Sequence, residues 1–199
     1  QARTTGMRRG VVSDIEEMDR IIDQFLDFAR DEAATATEPI DVNAELAASV
    51  DRYVRAGRDV RIAPNGPVFA RIKPTALSRV ASNLIENALH YSPEGSSVTI
   101  EFGREETDAC LAVLDDGPGI EPGEEQAVFE RFRRGSAGKS SPGTGLGLAI
   151  VQTLAQRWGG RASLSARPEG GTRAEIRLPA GDALPSPNPE LGEPIGARS

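Results

Sequence analysis

The stretch Gly143-Thr144-Gly145-Leu146-Gly147-Leu148 stands at the head of an apolar helical pattern, Thr144–Trp158, that stops at Gly159-Gly160. Its alternating glycines leave the first main-chain N–H groups of the helix open to an anion, and the helix dipole favours phosphate at that end. The spacing is G-x-G-x-G and a polar loop precedes it, so it is not a dinucleotide-binding fingerprint. No Gly-Lys-Ser/Thr follows, so it is not a Walker A loop either. The preceding loop, Glu121–Pro142, is long, polar and poor in secondary-structure signals except over Glu124–Phe132. Loops longer than ~12–15 residues in a compact domain act as lids or are disordered. Val128, Phe129 and Phe132 can pin this one to the body. Arg131, Arg133 and Arg134 can reach phosphates, with a solvated surface run as the competing reading for each.

Two further constellations lie upstream. Asp115-Asp116-Gly117-Pro118-Gly119-Ile120 follows the apolar strand pattern Ala109–Leu114. A carboxylate at a strand end can accept a hydrogen bond from an adenine amine, and glycines let backbone approach the base; alone, the same residues read as a plain tight turn. Asn83-Leu84-Ile85-Glu86-Asn87 places Asn83 and Asn87 on one face of a helix, with Glu86 off that line and His90 three residues beyond Asn87. A carboxamide oxygen can complete the shell of a Mg²⁺ whose other ligands are phosphate and water. Taken alone, two such asparagines are ordinary solvent-facing or capping residues.

Around these motifs the pattern is mixed. Asn43–Ala56 reads as a helix capped by Asn43, and Val60–Ala63 and Val68–Ile72 as short strands about a Pro64-Asn65-Gly66-Pro67 turn. Pro74–Tyr91 reads as a long helix with Leu77, Val80, Leu84, Ile85 and Leu89 on one side. Ser97–Phe102 joins Ala109–Leu114 as a strand, and Arg161–Ala166 with Arg173–Leu178 forms a hairpin around Pro168–Gly171. Nearer the start, Val11, Ile15, Met18, Ile22, Phe25 and Ala29 make a heptad-like stripe, widened by Ile21, Leu26 and Phe28 as in a helix bundle. The expected organisation is a bundle helix over 1–31, a linker over 32–38, a domain over 39–179, and a Pro/Gly/Ser-rich disordered tail over 180–199.

Composition narrows the function. The 199 residues carry a net charge of −7, which argues against nucleic acid as the partner. No apolar run approaches the ~18–20 residues of a membrane span, and Gln1–Gly10 is not a secretory signal. The single cysteine, Cys110, cannot form an internal disulfide and reads as a small buried residue. No Cys/His cluster has zinc spacing, and His90 is the single histidine.

The order of the motifs is more specific than any one of them. Asn-xxx-Asn on a helix, strand–Asp-x-Gly-x-Gly, Phe129-Glu130-Arg131-Phe132, and Gly143–Leu148 closely resemble the N, G1, F and G2 boxes of the sensor histidine kinases of two-component systems, EnvZ-type osmolarity sensors above all. The resemblance covers Pro39–Pro179, and Arg8–Asp31 resembles the second helix of their dimerisation and phosphotransfer domain. It implies an α+β fold, the Bergerat sandwich: a mixed sheet, three helices and an ATP lid. It implies ATP and Mg²⁺ as cofactors. Asp115 would bind the adenine amine, Asn87 with Asn83 the Mg²⁺, and the backbone of Gly143, Thr144, Gly145, Leu146, Gly147 and Leu148 the phosphates. Arg134 would approach the γ-phosphate. His90, Tyr91, Gly117, Gly119, Ile120, Phe132, Arg133 and Thr172 would complete the nucleotide site. Where His90 stands, many of these kinases carry Lys or Arg, which puts a phosphate contact from that position in doubt.

Gyrase, Hsp90 and MutL-type ATPases share the sandwich but place a water-activating Glu where this chain has Asn83, so the resemblance implies transfer and not hydrolysis. Anti-σ-factor kinases lack a helix like Arg8–Asp31. The partners implied are ATP or ADP, a dimerisation domain bearing the phosphoacceptor histidine in a parent homodimer, and a response-regulator receiver domain. With no histidine before Val11, the chain is expected to lack its own acceptor and to be a cytoplasmic piece of a bacterial inner-membrane sensor, itself making no membrane contact.

Overall fold

The computed structural model describes residues 38–130, 132–133 and 145–181. The expected bundle helix, Arg131, Arg134, Gly143, Thr144 and the tail beyond Gly181 lie outside those residues. The elements are β1 (Ile40–Asp41), α1 (Val42–Arg55), β2 (Val60–Asn65), β3 (Phe69–Ala70), α2 (Pro74–Tyr91), β4 (Val98–Glu105), β5 (Asp108–Leu114), a 3₁₀ turn (Ala127–Phe129), α3 (Gly147–Arg157), β6 (Arg161–Ala166) and β7 (Thr172–Pro179).

The α2 helix is the organising element, and its bounds are those expected. Pro74 starts it where a missing N–H costs nothing, and Ala76, Leu77, Val80, Ala81, Leu84, Ile85 and Ala88 recur at helical spacing and are all buried. It touches both α1 and α3. Beneath the helices the main sheet runs β2-β4-β5-β7-β6, with β2 parallel to β4 and the remaining pairs antiparallel. This is the mixed sheet with three helices that the motifs implied. The core lies between the layers, where Ile100, Leu111, Val113 and Ile176 meet Leu77, Leu84, Ile85 and Val151. Each such aliphatic side chain stabilises the fold by about 1.5–3 kcal/mol on burial.

Several local expectations are corrected. The α1 cap is Asp41, whose Oδ1 accepts from the Asn43 N–H at 2.8 Å, so Asn43 is the recipient of the cap. Pro64 and Asn65 do not turn the chain: β2 continues alongside β4 as far as the Asn65–Gly103 pair. The strand expected over Val68–Ile72 shrinks to β3, which pairs with β1 in a separate two-stranded sheet and not with β2. The secondary-structure signal over Glu124–Phe132 corresponds to the 3₁₀ turn Ala127–Phe129, with Val128 and Phe129 buried as its anchors. Among the described residues α3 begins at Gly147.

The other face of the sheet is covered by charge. Arg173 bridges Glu101 at 2.6 Å and Glu175 at 3.1 Å, and Arg177 bridges Glu175 and, at 2.8 Å, Glu105. These long side chains of β4 and β7 flank Ala112 and Cys110 of β5, which are buried on this face. Cys110 is thus buried as expected, but away from the helices. The fold closes where it opened: Ala180 bridges Ala70, the Gly181 N–H donates to the Phe69 carbonyl at 2.8 Å, and Gly181 lies against Pro39. Composition placed Ala180 and Gly181 in the tail, yet both pack on the domain.

Candidate nucleotide site

Asp115 follows directly on β5 and is 4% exposed. Its Oδ1 accepts from the Gly117 N–H at 2.8 Å and the Thr172 N–H at 3.1 Å. Burial raises its pKa above the usual carboxylate value, against the opposing pull of these hydrogen bonds and of Arg167. A buried carboxylate held by two N–H donors is a fixed acceptor, oriented before any ligand arrives. The turn has no room for a side chain at Gly117: a Cβ there would lie 2.9 Å from Asp115 Oδ1 and 3.0 Å from the Tyr91 carbonyl oxygen. The C-terminal end of α2 therefore packs directly on the Asp115 loop.

The same closeness joins α2 to α3. Asn83 is 8% exposed, and its Nδ2 donates to the Arg79 carbonyl at 2.9 Å. That bond fixes the amide so that Oδ1 faces Gly147, where a Cβ would sit 3.2 Å away. Asn87 follows one turn later, half-buried. The lid returns to this corner: the Phe132 N–H donates to the Gly145 carbonyl at 3.1 Å. Phe132 is 74% exposed with φ of 62°, and Arg133 is exposed and paired to Glu130 at 3.1 Å. Leu146 precedes α3 and accepts from the Ile150 N–H at 2.9 Å, while Leu148 packs partly on the core.

The structure thus forms two groups of contacts along α2: Asn83 with Gly147, which Gly145 and Phe132 adjoin, and, at the C-terminal end of the helix, Tyr91 with Gly117, Asp115 and Thr172. Gly119 joins the second group, 3.4 Å from the Gly171 carbonyl oxygen when given a Cβ, with half-buried Ile120 next to it. His90 is exposed and meets Tyr91 edge-on, ring centroids 4.9 Å apart. Glu86 is elsewhere: it pairs with Arg52 at 4.0 Å and accepts from Tyr53 Oη at 3.3 Å, on the α1 side. Arg134, Gly143 and Thr144 fall outside the described residues. One contributor escaped the sequence reading: Arg167 donates from Nη1 to the Asp115 carbonyl oxygen at 2.6 Å.

A family model described as "Histidine kinase-, DNA gyrase B-, and HSP90-like ATPase" matches residues 72–182, just over half of the chain. A solved mycobacterial sensor histidine kinase, MprB, superposes with a TM-score of 0.62 at 34% identity, covering 72% of this chain and 97% of that one. The chain belongs to the sensor histidine kinases. Residues 72–182 lie in their ATP-binding catalytic domain. The signal transduction histidine-protein kinase/phosphatase MprB of Mycolicibacterium smegmatis is 34% identical over 191 residues, which cover 92% of this chain and 38% of that protein. This histidine kinase chain therefore spans about two fifths of that relative's length. The histidine kinase domain of the E. coli osmosensor EnvZ gives a TM-score of 0.57 at 29% identity, covering 79% of this chain and 98% of that one. The EnvZ likeness is thus real, but the MprB domain shares more of this sequence.

Proposed function

We propose that this domain binds Mg²⁺–ATP in the corner between α2, the Asp115 loop and the start of α3, and that the protein it belongs to passes the γ-phosphate to a histidine on a dimerisation helix, for relay to an aspartate of a response-regulator receiver domain. The observation that carries this reading is that α2 meets both motifs: Asn83 lies against Gly147 at the start of α3, and about two turns on Tyr91 lies against Gly117 of the loop that holds Asp115.

Asp115 takes the adenine amine, beside Thr172. Tyr91, Gly117, Gly119 and Ile120 line the base. The main chain from Gly143 through Thr144, Gly145, Leu146 and Gly147 to Leu148 cradles the phosphates, and Arg133 and Arg134 of the lid add positive charge, with Arg134 at the γ-phosphate. Phe132 holds the lid to Gly145, and His90 borders the site through Tyr91. The amide oxygens of Asn83 and Asn87 fit a Mg²⁺ that arrives with the nucleotide, because neutral hard donors suffice when phosphates supply the charge. Among the described residues no group of three His, Cys, Asp or Glu could hold an ion without it. Held by Asn83 and Asn87, Mg²⁺ would supply positive charge against the phosphates.

Transfer is favoured over hydrolysis by the residues on α2. The Asn83 amide cannot take a proton from water, and Glu86 is engaged by Arg52 and Tyr53 away from the site. The single histidine of the sequence, His90, borders the nucleotide instead of lying on a separate helix, so the acceptor comes from another segment or chain. Residues 1–31 supply the second helix of the dimerisation domain, 32–38 a linker, 39–181 the catalytic domain with Ala180 and Gly181 as its last packed residues, and the residues beyond a tail. An alignment covering 92% of the chain with M. smegmatis MprB cannot begin at Pro39, which supports the first of these. No helix among the described residues is long and apolar enough to cross a membrane; the domain acts as the cytoplasmic part of an inner-membrane homodimer. Incubation with γ-labelled ATP tests the reading: an added histidine-bearing dimerisation domain should be labelled and the 199-residue chain alone should not. Self-labelling of the chain, or nucleotide hydrolysis without transfer, sinks it.

A further inference from the structure

Asp115 is held at three points by a single segment 52 or more positions downstream. Its N–H donates to the Thr172 carbonyl at 3.0 Å, and its Oδ1 accepts from the Thr172 N–H. Its carbonyl oxygen accepts from Arg167 Nη1 at 2.6 Å, and the same Nη1 reaches Asp116 Oδ1 at 2.9 Å. Arg167 is well placed to be rigid. The turn carrying it is closed by its own N–H to the Gly171 carbonyl and by the Gly170 N–H to its carbonyl, both at 3.1 Å. Gly171 sits so near that a Cβ there would lie 1.9 Å from the Asp115 carbonyl oxygen. The arginine side chain is 21% exposed, against 53% for Asp116, so the inner bond is the more shielded.

We propose that Arg167 is a positioning residue for base recognition: from the β6–β7 turn it fixes the main chain of Asp115, and so decides how sharply the site selects a purine bearing the 6-amine. This rests on the reading of Asp115 as the adenine acceptor. Two features support it. The contact is to the main chain of the residue whose side chain reads the base, so loosening it moves the carboxylate as a whole. The guanidinium also places positive charge beside a buried carboxylate, favouring the ionised acceptor. A planar guanidinium can serve the Asp115 carbonyl and the Asp116 carboxylate together, which an ammonium does less well. A site built around a hydrogen bond to a substrate N–H rejects an analogue lacking it strongly, provided the acceptor is held in place.

The test compares ATP with inosine 5′-triphosphate, which carries a carbonyl in place of the amine, by calorimetric titration of the 199-residue chain with Mg²⁺. Arg167→Met should weaken ATP about tenfold, one charged hydrogen bond's worth, and the inosine nucleotide less than about twofold, narrowing the preference. Arg167→Lys should recover part of that preference. Asp116→Asn, which leaves the bond to the Asp115 carbonyl in place, should stay within about twofold of the parent for both. Equal losses for both nucleotides would make Arg167 merely structural and overturn the proposal. So would a loss in Asp116→Asn matching that of Arg167→Met. If Arg167→Met fails to fold, Arg167→Lys carries the test, and an unchanged ATP preference in it overturns the proposal. Asp115→Asn, run alongside, separates the two levels: retained ATP affinity there refutes the adenine assignment itself, whereas its loss with an unaffected Arg167→Met refutes only the role of Arg167.

Discussion

Replacing Asp115 by asparagine should separate nucleotide affinity from stability, and the geometry says in which direction. Two N–H donors, from Gly117 and Thr172, converge on Oδ1. In Asp115→Asn the amide oxygen must stay with them, which forces the NH₂ group to the position of Oδ2. A donor then faces the donor of the adenine amine. The lost charge-assisted hydrogen bond is worth about 1.5–3 kcal/mol, so ATP should bind roughly 10- to 150-fold more weakly. Stability should hardly move. Burial outweighs the hydrogen bonds and the Arg167 charge in raising the Asp115 pKa, so the ionised form is a net cost to the fold. The two hydrogen bonds survive in weaker, neutral form, and the balance should lie within about 1 kcal/mol. The sign with pH follows. A carboxyl whose pKa is higher in the folded than in the unfolded state binds its proton more tightly when folded. Its contribution therefore improves as pH falls through the folded value, and its cost is complete above that value. Asp115→Asn should remove that component of the pH dependence. Calorimetric titration with ATP and Mg²⁺, paired with urea unfolding at several pH values, reads both quantities. ATP affinity within about threefold of the parent would refute the pocket assignment, and a stability loss beyond about 3 kcal/mol would refute the burial argument.

Other perturbations follow from the same contacts. Gly171→Ala forces a Cβ to 1.9 Å from the Asp115 carbonyl oxygen at a φ of 87° and should cost about 3 kcal/mol in urea unfolding; an unchanged midpoint would mean the turn is not seated on Asp115. Asn83→Asp sets a carboxylate oxygen against the Arg79 carbonyl and should destabilise by about 1–3 kcal/mol, visible as a lower thermal midpoint even without nucleotide. Glu86→Gln should change stability by no more than about 0.5 kcal/mol and leave phosphotransfer to an added dimerisation domain intact, whereas a tenfold loss would make Glu86 a participant. Cys110, whose pKa is pushed up to about 11 chiefly by burial, should resist iodoacetamide at pH 8 in the native chain and react once unfolded.

What could be read from the sequence was whatever has a period or a spacing. The α2 bounds were legible because Pro74 and the apolar stripe from Leu77 to Leu89 are local signals, and the β6–β7 hairpin because Pro168–Gly171 interrupts two strand patterns. The motif corner was legible through order along the chain. β1 and β3 were not, because two-residue strands have no periodicity and exist only by pairing with each other. The Pro64-Asn65 error has the same root: a local turn signal was overridden by the parallel neighbour β4. Asp41 and Asn43 are both good capping residues two positions apart, and only the direction of the hydrogen bond tells them apart. Arg167 had no local signal at all. It looks like any loop arginine, and its partner is 52 residues away.

The meeting of Pro39 with Gly181 has a consequence for handling this domain. Strand and bridge contacts bring the chain's way in and way out to one spot on the surface. A few added residues could splice those two points, and new ends could be opened at an exposed turn such as Pro93–Gly95. The resulting circular permutant would carry both attachment points beside the nucleotide corner, at the end of α2 that packs on the Asp115 loop. In the natural arrangement everything flanking the domain on either side is moored at a single corner, as a flag is to its pole.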